Sequence, residues 1–402
     1  MRGTIRKRYK GSWSLVLDLG YQMVDSTTGL KKRKQKWITF HGTRKQAEAK
    51  LTDLVRDANR GEFVEPSKLT VREWLNEWLE KTAKPPRKAQ GTYDSYRKIL
   101  DVHILPALGD FRLQALKPSD IGAYYASRSD TLAPATIQVH HAIISSALKC
   151  TLRDGLVTRN AASDVSNKPR KSASQTAHAD VLEHVWTAKE AARFLATAKA
   201  AGVQPAAFYS LALDSGARKG ELAGLKWSDL DPVSGKLTIQ RTLLKGRGKD
   251  RPEPVFGPTK TRTARTLELS AETLALLRTH RAHQAEIKLA NRTRYHDNGL
   301  VFAKELVDLQ ARHDTLGDPL QVNNIGSREF GRLIKAARVR RIKFHGLRRT
   351  VATLMLAAGV PAHVVQGRLG HSKIEMTLNI YAHALPTMQQ DAASKLAALL
   401  HG

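Results

Sequence analysis

The sequence predicts a multidomain, mainly α chain with α+β parts: a small three-stranded sheet plus a helix, then a helical domain, then a mixed α/β domain. Three observations lead there. A chain of 402 residues is long for one hydrophobic core and comfortable for two or three. Its apolar spacing changes from strand-like alternation near the N-terminus to helical periodicity over residues 66–165, and then to a mixture of both. A polar, basic, turn-rich stretch, residues 167–179, separates the helical part from the mixed one. The expected division is therefore 1–62, 66–165, a linker at 166–179, and 180–402.

In the first segment, residues 4–9, 12–19 and 34–40 have strand character, and residues 25–29 supply a turn between the second and third strands. Thr43 is placed to cap a helix from Arg44 to about Arg60. Residues 1–60 carry 15 basic and 5 acidic side chains. A solvated basic tail is the alternative, but Trp13, Ile38 and Phe40 give the segment something to pack around, which favours a folded module. The second segment opens with Thr70-Val-Arg-Glu73, a capping box followed by Val71, Trp74, Leu75, Trp78 and Leu79 at helical spacing. Those tryptophans read as core. A second helix from about Thr92 should end near Pro106, with Leu108-Gly109 closing the turn, and further helices are expected at 119–129 and 135–154. In the third segment Thr187 and Glu190 form another capping box, and strands are expected at 236–241 and 266–269.

Sixty-six Lys+Arg against 37 Asp+Glu leave a formal charge of +29 and a pI near 10.3. Such an excess, on a chain that is 41% hydrophobic and so able to fold, implies a polyanionic partner, nucleic acid first. No apolar run approaches the ~18 residues a membrane span needs, and the N-terminus has no secretory h-region, so a cytoplasmic protein without a membrane partner is expected. Cys150 is the only cysteine; it cannot form an internal disulfide and reads as core in a reducing compartment.

Several patterns in the third segment mean little singly and much together. Asp214-Ser-Gly-Ala-Arg218-Lys-Gly-Glu221 is a turn running into a helix. Lys260, in Thr259-Lys260-Thr-Arg-Thr-Ala-Arg-Thr-Leu, lies just ahead of a strand in an expected hairpin. His345-Gly-Leu-Arg348 puts two polar side chains one helical turn apart on one face. Leu369-Gly-His371 follows 23 residues after Arg348, and Tyr381 comes 10 residues after His371. His345, His371 and His383 lack an acidic or cysteine partner at ligand spacing, so no metal site is expected.

This order and spacing resembles the tyrosine recombinase (phage integrase) family. All six of that family's catalytic elements have a counterpart here: Arg218, Lys260, His345, Arg348, His371 and Tyr381. Ala217 departs from the leucine common in the family, which is a packing change. The resemblance extends along the chain: residues 66–165 are similar to a helical core-DNA-binding domain, and 1–62 to the arm-type DNA-binding domain of integrases from phages and conjugative transposons.

The chemistry explains the residue types. Attack on a phosphodiester concentrates negative charge on its non-bridging oxygens, which the planar, always-charged forks of Arg218 and Arg348 can bind. Tyr381, whose free phenol has a pKa of ~10, must lose its proton as it attacks; His345 is the expected acceptor. Lys260 is the expected general acid for the leaving 5′-oxygen, and His371 is expected to hydrogen-bond and position the phosphate. A 3′-phosphotyrosine conserves the bond energy, so rejoining needs neither ATP nor any cofactor. Glu221 either holds the Arg218 turn or simply complements a helix N-terminus. The basic run Arg338, Arg340, Arg341 and Lys343 is expected to touch phosphates, a solvated face being the alternative. The amphipathic tail 391–400 packs either on a neighbouring subunit or on its own domain.

The resemblance implies an integrase acting as a homotetramer on double-stranded DNA with core-type and arm-type sites, integrating and excising a mobile element. An accessory DNA-bending protein and an excisionase are the implied partners. The alternatives are a recombinase resolving chromosome or plasmid dimers, which usually lacks an arm-binding module, and a non-catalytic DNA-binding regulator.

Overall fold

The computed structural model describes residues 2–23, 31–59, 64, 66–168, 184–244, 254–306, 315–378, 394 and 396–401. The expected turn at 25–29, most of the 166–179 linker, Tyr381, His383 and most of the C-terminal tail lie outside these residues. The chain separates into two compact units, 1–172 and 173–402.

The first unit begins with a three-stranded antiparallel sheet, β1 (Arg2–Tyr9), β2 (Ser12–Met23) and β3 (Lys31–His41), with β2 central. Alternation decides its faces. The register aligns Ile5 with Leu15 and Ile38, and Lys7 with Trp13 and Phe40. The Arg44–Asn59 helix covers that side through Ala47, Leu51, Leu54 and Val55. Thr43 caps it as expected: its Oγ1 accepts from the Gln46 N–H at 3.3 Å, and Gln46 Oε1 accepts from the Thr43 N–H at 2.9 Å. On the opposite face Arg6 lies 5.1 Å over the half-exposed Trp37 ring, a cation–π pair open to water.

A separate apolar cluster organises the helices of residues 66–165. The Thr70–Glu73 capping box is present in both directions and starts the Val71–Trp78 helix. Trp74 and Trp78 are core, as their spacing implied; Trp74 Nε1 donates to the Ala147 carbonyl at 3.1 Å, and Trp78 stacks on Tyr96. The second helix ends near Pro106 as expected, with Leu108 its last residue and Gly109 its cap. The Gln90–Ile99 helix widens into a π turn at Leu100–Ile104 and resumes at Leu105–Leu108, so Pro106 falls in a new first turn, where no N–H is required of it. The Pro118–Ser129 and Pro134–Arg153 helices are joined by two parallel polar contacts. Tyr124 Oη lies 2.8 Å from His140 Nδ1, and Tyr125 Oη 2.9 Å from His141 Nδ1. Burial first, then the His103 and Arg128 charges, push the His140 pKa down to about 4, so that ring accepts the tyrosine proton as a neutral group. Cys150 is a half-buried free thiol packed against this core.

The second unit opens with the Thr187–Glu190 capping box and the Ala188–Ala201 helix. Its core is aromatic: Trp186, Phe194, Phe208, Tyr209, Phe302, Phe330 and Phe344 meet mostly tilted or edge-to-face, pairs worth roughly 0.5–1.5 kcal/mol beyond area burial. Beside this core runs a broken hairpin. Strand β4 (Lys236–Ile239) pairs with β7 (Arg265–Glu268), and β5 (Arg241–Leu243) with β6 (Phe256–Pro258). Ile239 faces Arg265 and Arg241 faces Pro258, so Gln240 alone stands opposite residues 259–264. Lys260 therefore sits on a detour in the flank of the hairpin rather than at its tip. The strand β6 went unrecognised because its three residues, Phe256-Gly-Pro258, include a glycine and a proline.

Candidate active site

Four local structures in the second unit converge. The Val203–Ser215 helix ends at Gly216, whose φ of +61° is the left-handed conformation that favours glycine. A Cβ on Gly216 would also come within 2.3 Å of Leu369 Cδ2. The Gly216 carbonyl accepts from Arg348 Nη1 at 2.9 Å.

Arg218 comes next, as the N-cap of the short Lys219–Ala223 helix. Arginine has no acceptor, so only half of a capping box forms: the Arg218 N–H donates to Glu221 Oε2 at 3.0 Å. Its guanidinium donates to Glu221 Oε1 at 2.8 Å and to the Gly370 carbonyl at 3.3 Å. Glu221 is 2% exposed. Burial alone would raise its pKa, but Arg265 and then Arg218 overcome this and hold the carboxyl below its usual value. Of the two roles expected for Glu221, holding the Arg218 turn is the one its contacts display.

His345 and Arg348 lie on the first turns of the Phe344–Ala357 helix. Arg348 is 3% exposed, and its Nη2 is buried without a hydrogen-bond partner. Burial, then the Arg218 and Arg265 charges, opposed by Glu221, lower its pKa to about 9. His345 is open to solvent, yet crowding of its ring by protein, and then Arg348, Arg349, Arg218 and Lys260, hold its pKa below the usual value. A helix N-terminus disfavours imidazolium in the same direction. His345 is thus biased toward the neutral imidazole.

His371 follows Gly370, the left-handed residue (φ +67°) that closes the Ala362–Leu369 helix. Its backbone is fastened to Gln366 at both N–H and C=O, and its Nδ1 lies 2.9 Å from the hydroxyl of the fully buried Thr377. With Thr377 donating, the ring proton sits on Nε2, free to donate to a phosphate oxygen. Burial, then Arg348, Arg218, His345 and Arg265, push its pKa down to about 4.

Lys260 is exposed, on a turn held by the Arg262 N–H to the Thr259 carbonyl at 2.9 Å and by Thr259 Oγ1 to the Thr263 carbonyl at 3.0 Å. Arg218, Lys260, His345, Arg348 and His371 thus come together, while Tyr381 lies outside the described residues. Of the basic run, Arg338, Arg340, Arg341 and Lys343 are all exposed or half-exposed; Arg340 is partly engaged, its carbonyl accepting from Trp186 Nε1 and its N–H donating to Glu190. Among the described tail residues Leu396, Leu399 and Leu400 are exposed. No group of three or more metal-ligating side chains is present among the described residues, and no helix there is long and apolar enough to cross a membrane.

Sequence reasoning missed three supports: Arg265 on Glu221, Thr377 behind His371, and Arg368, whose Nε donates to the Asp214 carbonyl at 3.1 Å. Arg265 did have a signal, being a charged residue at the start of a strand whose neighbours in register are apolar.

Residues 184–388 match the model described as the phage integrase family, and residues 70–129 match that of the phage integrase N-terminal SAM-like domain. A tyrosine recombinase XerC-like protein of Caldanaerobacter subterraneus subsp. tengcongensis is 26% identical over 89% of this chain and 90% of its own. An integrase of Streptomyces ambofaciens is 26% identical over 87% and 86%. Among solved structures, the integrase of the Tn1549 transposon in complex with a circular intermediate DNA superposes with a TM-score of 0.63 at 20% identity, covering 82% of this chain and 100% of that one. A lambda integrase tetramer bound to a Holliday junction gives 0.56 at 18% identity over 94% of each chain.

Proposed function

Since this chain belongs to the phage integrase family and is a tyrosine site-specific recombinase, we propose that Tyr381 attacks a DNA phosphate gripped by Arg218, Arg348 and His371. The observation that carries this reading is the buried, unpartnered Nη2 of Arg348 beside a second guanidinium. A cation kept dry without an anion is costly unless an anion comes to it.

The bond from Tyr381 Oη to phosphorus forms as the bond from phosphorus to the 5′-oxygen breaks. His345 takes the phenol proton, and Lys260 gives one to the departing oxygen. Lys260's place on a detour lets its ammonium reach out of the hairpin toward DNA. The two arginines and His371 meet the charge that accumulates on the non-bridging oxygens. Rejoining is the same step reversed with a new 5′-hydroxyl.

The expected three-part organisation supplies the rest of the reading. Residues 1–62 bind arm-type sites through the sheet face that carries Arg6 and Trp37, and residues 66–165 bind core-type DNA together with the catalytic domain, 180–402. Arg338, Arg340, Arg341 and Lys343 touch phosphates; their exposure supports this. The structural neighbours bound to DNA, one of them a tetramer on a Holliday junction, support a four-subunit assembly, in which the exposed Leu396, Leu399 and Leu400 are available to a neighbouring subunit. An accessory bending protein, an excisionase and association with the nucleoid complete the proposal for integration and excision of a mobile element. The XerC-like relative favours dimer resolution as a second reading, against which the N-terminal module counts.

Covalent capture tests the chemistry. Nicked duplexes from the ends of the genetic element that encodes the chain are incubated with it in EDTA without ATP, and wild type is compared with Tyr381→Phe on denaturing gels. An adduct formed by wild type alone is expected. Specific DNA binding without any adduct would favour the non-catalytic regulator, and an adduct that survives Tyr381→Phe would mean another nucleophile.

A further inference from the structure

One largely buried side chain ties dispersed pieces of the site together, and it is none of the six that the motifs supply. Arg265 begins strand β7, and its side chain is 9% exposed. Its Nη2 donates to Glu221 Oε2 at 2.7 Å and its Nη1 to Glu221 Oε1 at 3.3 Å, a two-pronged grip on one carboxylate. Its Nε donates to the Arg368 carbonyl at 3.0 Å, in the last turn of the helix that leads to Gly370 and His371. Its side chain passes so near Gly370 that a Cβ there would lie 3.0 Å from Arg265 Cδ.

These contacts span three chain segments. Glu221 is the carboxylate that holds both the N–H and the guanidinium of Arg218. Gly370, whose carbonyl takes the remaining Arg218 bond, immediately precedes His371. Residues 259–264, the detour with Lys260, end where Arg265 begins. Without Arg265, Glu221 keeps Arg218, but the tie to the hairpin is lost and the His371 turn is held to this pair only by the 3.3 Å bond from Arg218 to the Gly370 carbonyl.

We propose that Arg265 is a positioning residue of the cleavage reaction, setting Arg218 and His371 at the spacing a phosphate requires by gripping Glu221 and the Arg368 carbonyl at once. The proposal rests on the reading that Arg218 and His371 bind the scissile phosphate. Misplacing a reacting group by about 1 Å is enough to lose on the order of 100-fold in rate, so tethering at this range has a large lever. Arg265→Lys keeps the charge and one hydrogen bond but cannot make three bonds in a fork.

The test uses the full chain and single-turnover cleavage of the nicked duplexes, with DNA affinity and the melting temperature measured alongside. Arg265→Lys is expected to lower the maximal cleavage rate about 10- to 100-fold, with DNA affinity changed less than about 3-fold. A second substrate carries a neutral methylphosphonate at the mapped cleavage position, which removes a charge that Arg218 would neutralise. On it the deficit of Arg265→Lys should shrink at least several-fold. In an Arg218→Lys background the Arg265→Lys effect should largely vanish, since both changes disable one unit.

Equal deficits on both substrates and in both backgrounds would make Arg265 a structural residue only and overturn the proposal. So would a maximal rate unchanged by Arg265→Lys. If Arg218→Lys itself cleaves at the wild-type rate, the failure lies with the underlying assignment of the phosphate site. Should Arg265→Lys lower the melting temperature markedly, Glu221→Gln, which leaves both guanidinium groups in place, must reproduce the substrate dependence; a Glu221→Gln variant without it also overturns the proposal.

Discussion

Replacing Arg348 by methionine should abolish cleavage and, in the same molecule, raise thermal stability. The side chain is 3% exposed, and burial, then Arg218 and Arg265, lower its pKa from the ordinary guanidinium value to about 9. At ~1.36 kcal/mol per unit, keeping that charge inside the fold costs on the order of 5 kcal/mol relative to the unfolded chain. Below about pH 9 the group is protonated in both states, so the penalty is complete at pH 7; it fades only as pH rises above about 9. Methionine fills similar space without charge but forfeits the bond to the Gly216 carbonyl, a loss of about 1–3 kcal/mol. The balance favours the variant by on the order of 2–4 kcal/mol, or roughly 5 to 15 °C for a unit of this size. Calorimetry of the full chain in a chloride buffer free of sulfate and phosphate reads it directly. Added sulfate should then raise the wild-type transition and leave Arg348→Met where it was. A variant that melts at or below wild type would refute the argument that this site stores an uncompensated charge.

Two more outcomes are expected of the same structure. The His140 and His371 rings, both pushed down to about 4, bind protons in the unfolded chain before they do in the fold. Stability should therefore decline as pH falls from about 6.5 to 4, read as a lower urea midpoint; a midpoint flat across that window would contradict both assignments. Gly216→Ala should cost about 2–4 kcal/mol, combining a φ of +61° with a Cβ within 2.3 Å of Leu369 Cδ2, and should slow adduct formation by moving the Gly216 carbonyl that steadies Arg348. A Gly216→Ala protein that melts and cleaves like wild type would remove the turn from the account.

Features governed by local rules were readable from the chain. Thr43, Thr70 and Thr187 announced their helices because a cap is decided within four residues. Trp74 and Trp78 were assigned to the core by spacing alone. Arg218, His345, Arg348 and His371 stood in recognisable order, and the fold brings them together. What stayed hidden depended on partners distant in sequence. Nothing near Arg265 reveals that its partner is 44 residues away at Glu221, or that the other end of its fork finds the carbonyl of Arg368. Thr377 likewise looks like any helix threonine until His371 turns back onto it.

The lone Gln240 standing opposite residues 259–264 bears on how this hairpin can change over evolutionary time. In an uninterrupted ladder, one inserted residue turns every later side chain to the wrong face. Here the count is absorbed before β7 begins, so the segment bearing Lys260 can lengthen or shorten by an odd or an even number while Leu267 stays in the core and Arg265 keeps its partners. The outer pair of strands is insulated in the same way. Variation in length is thus permitted next to a reacting group, where a rigid scaffold would forbid it, and the lysine can be refitted to a different DNA path without rebuilding the protein beneath it.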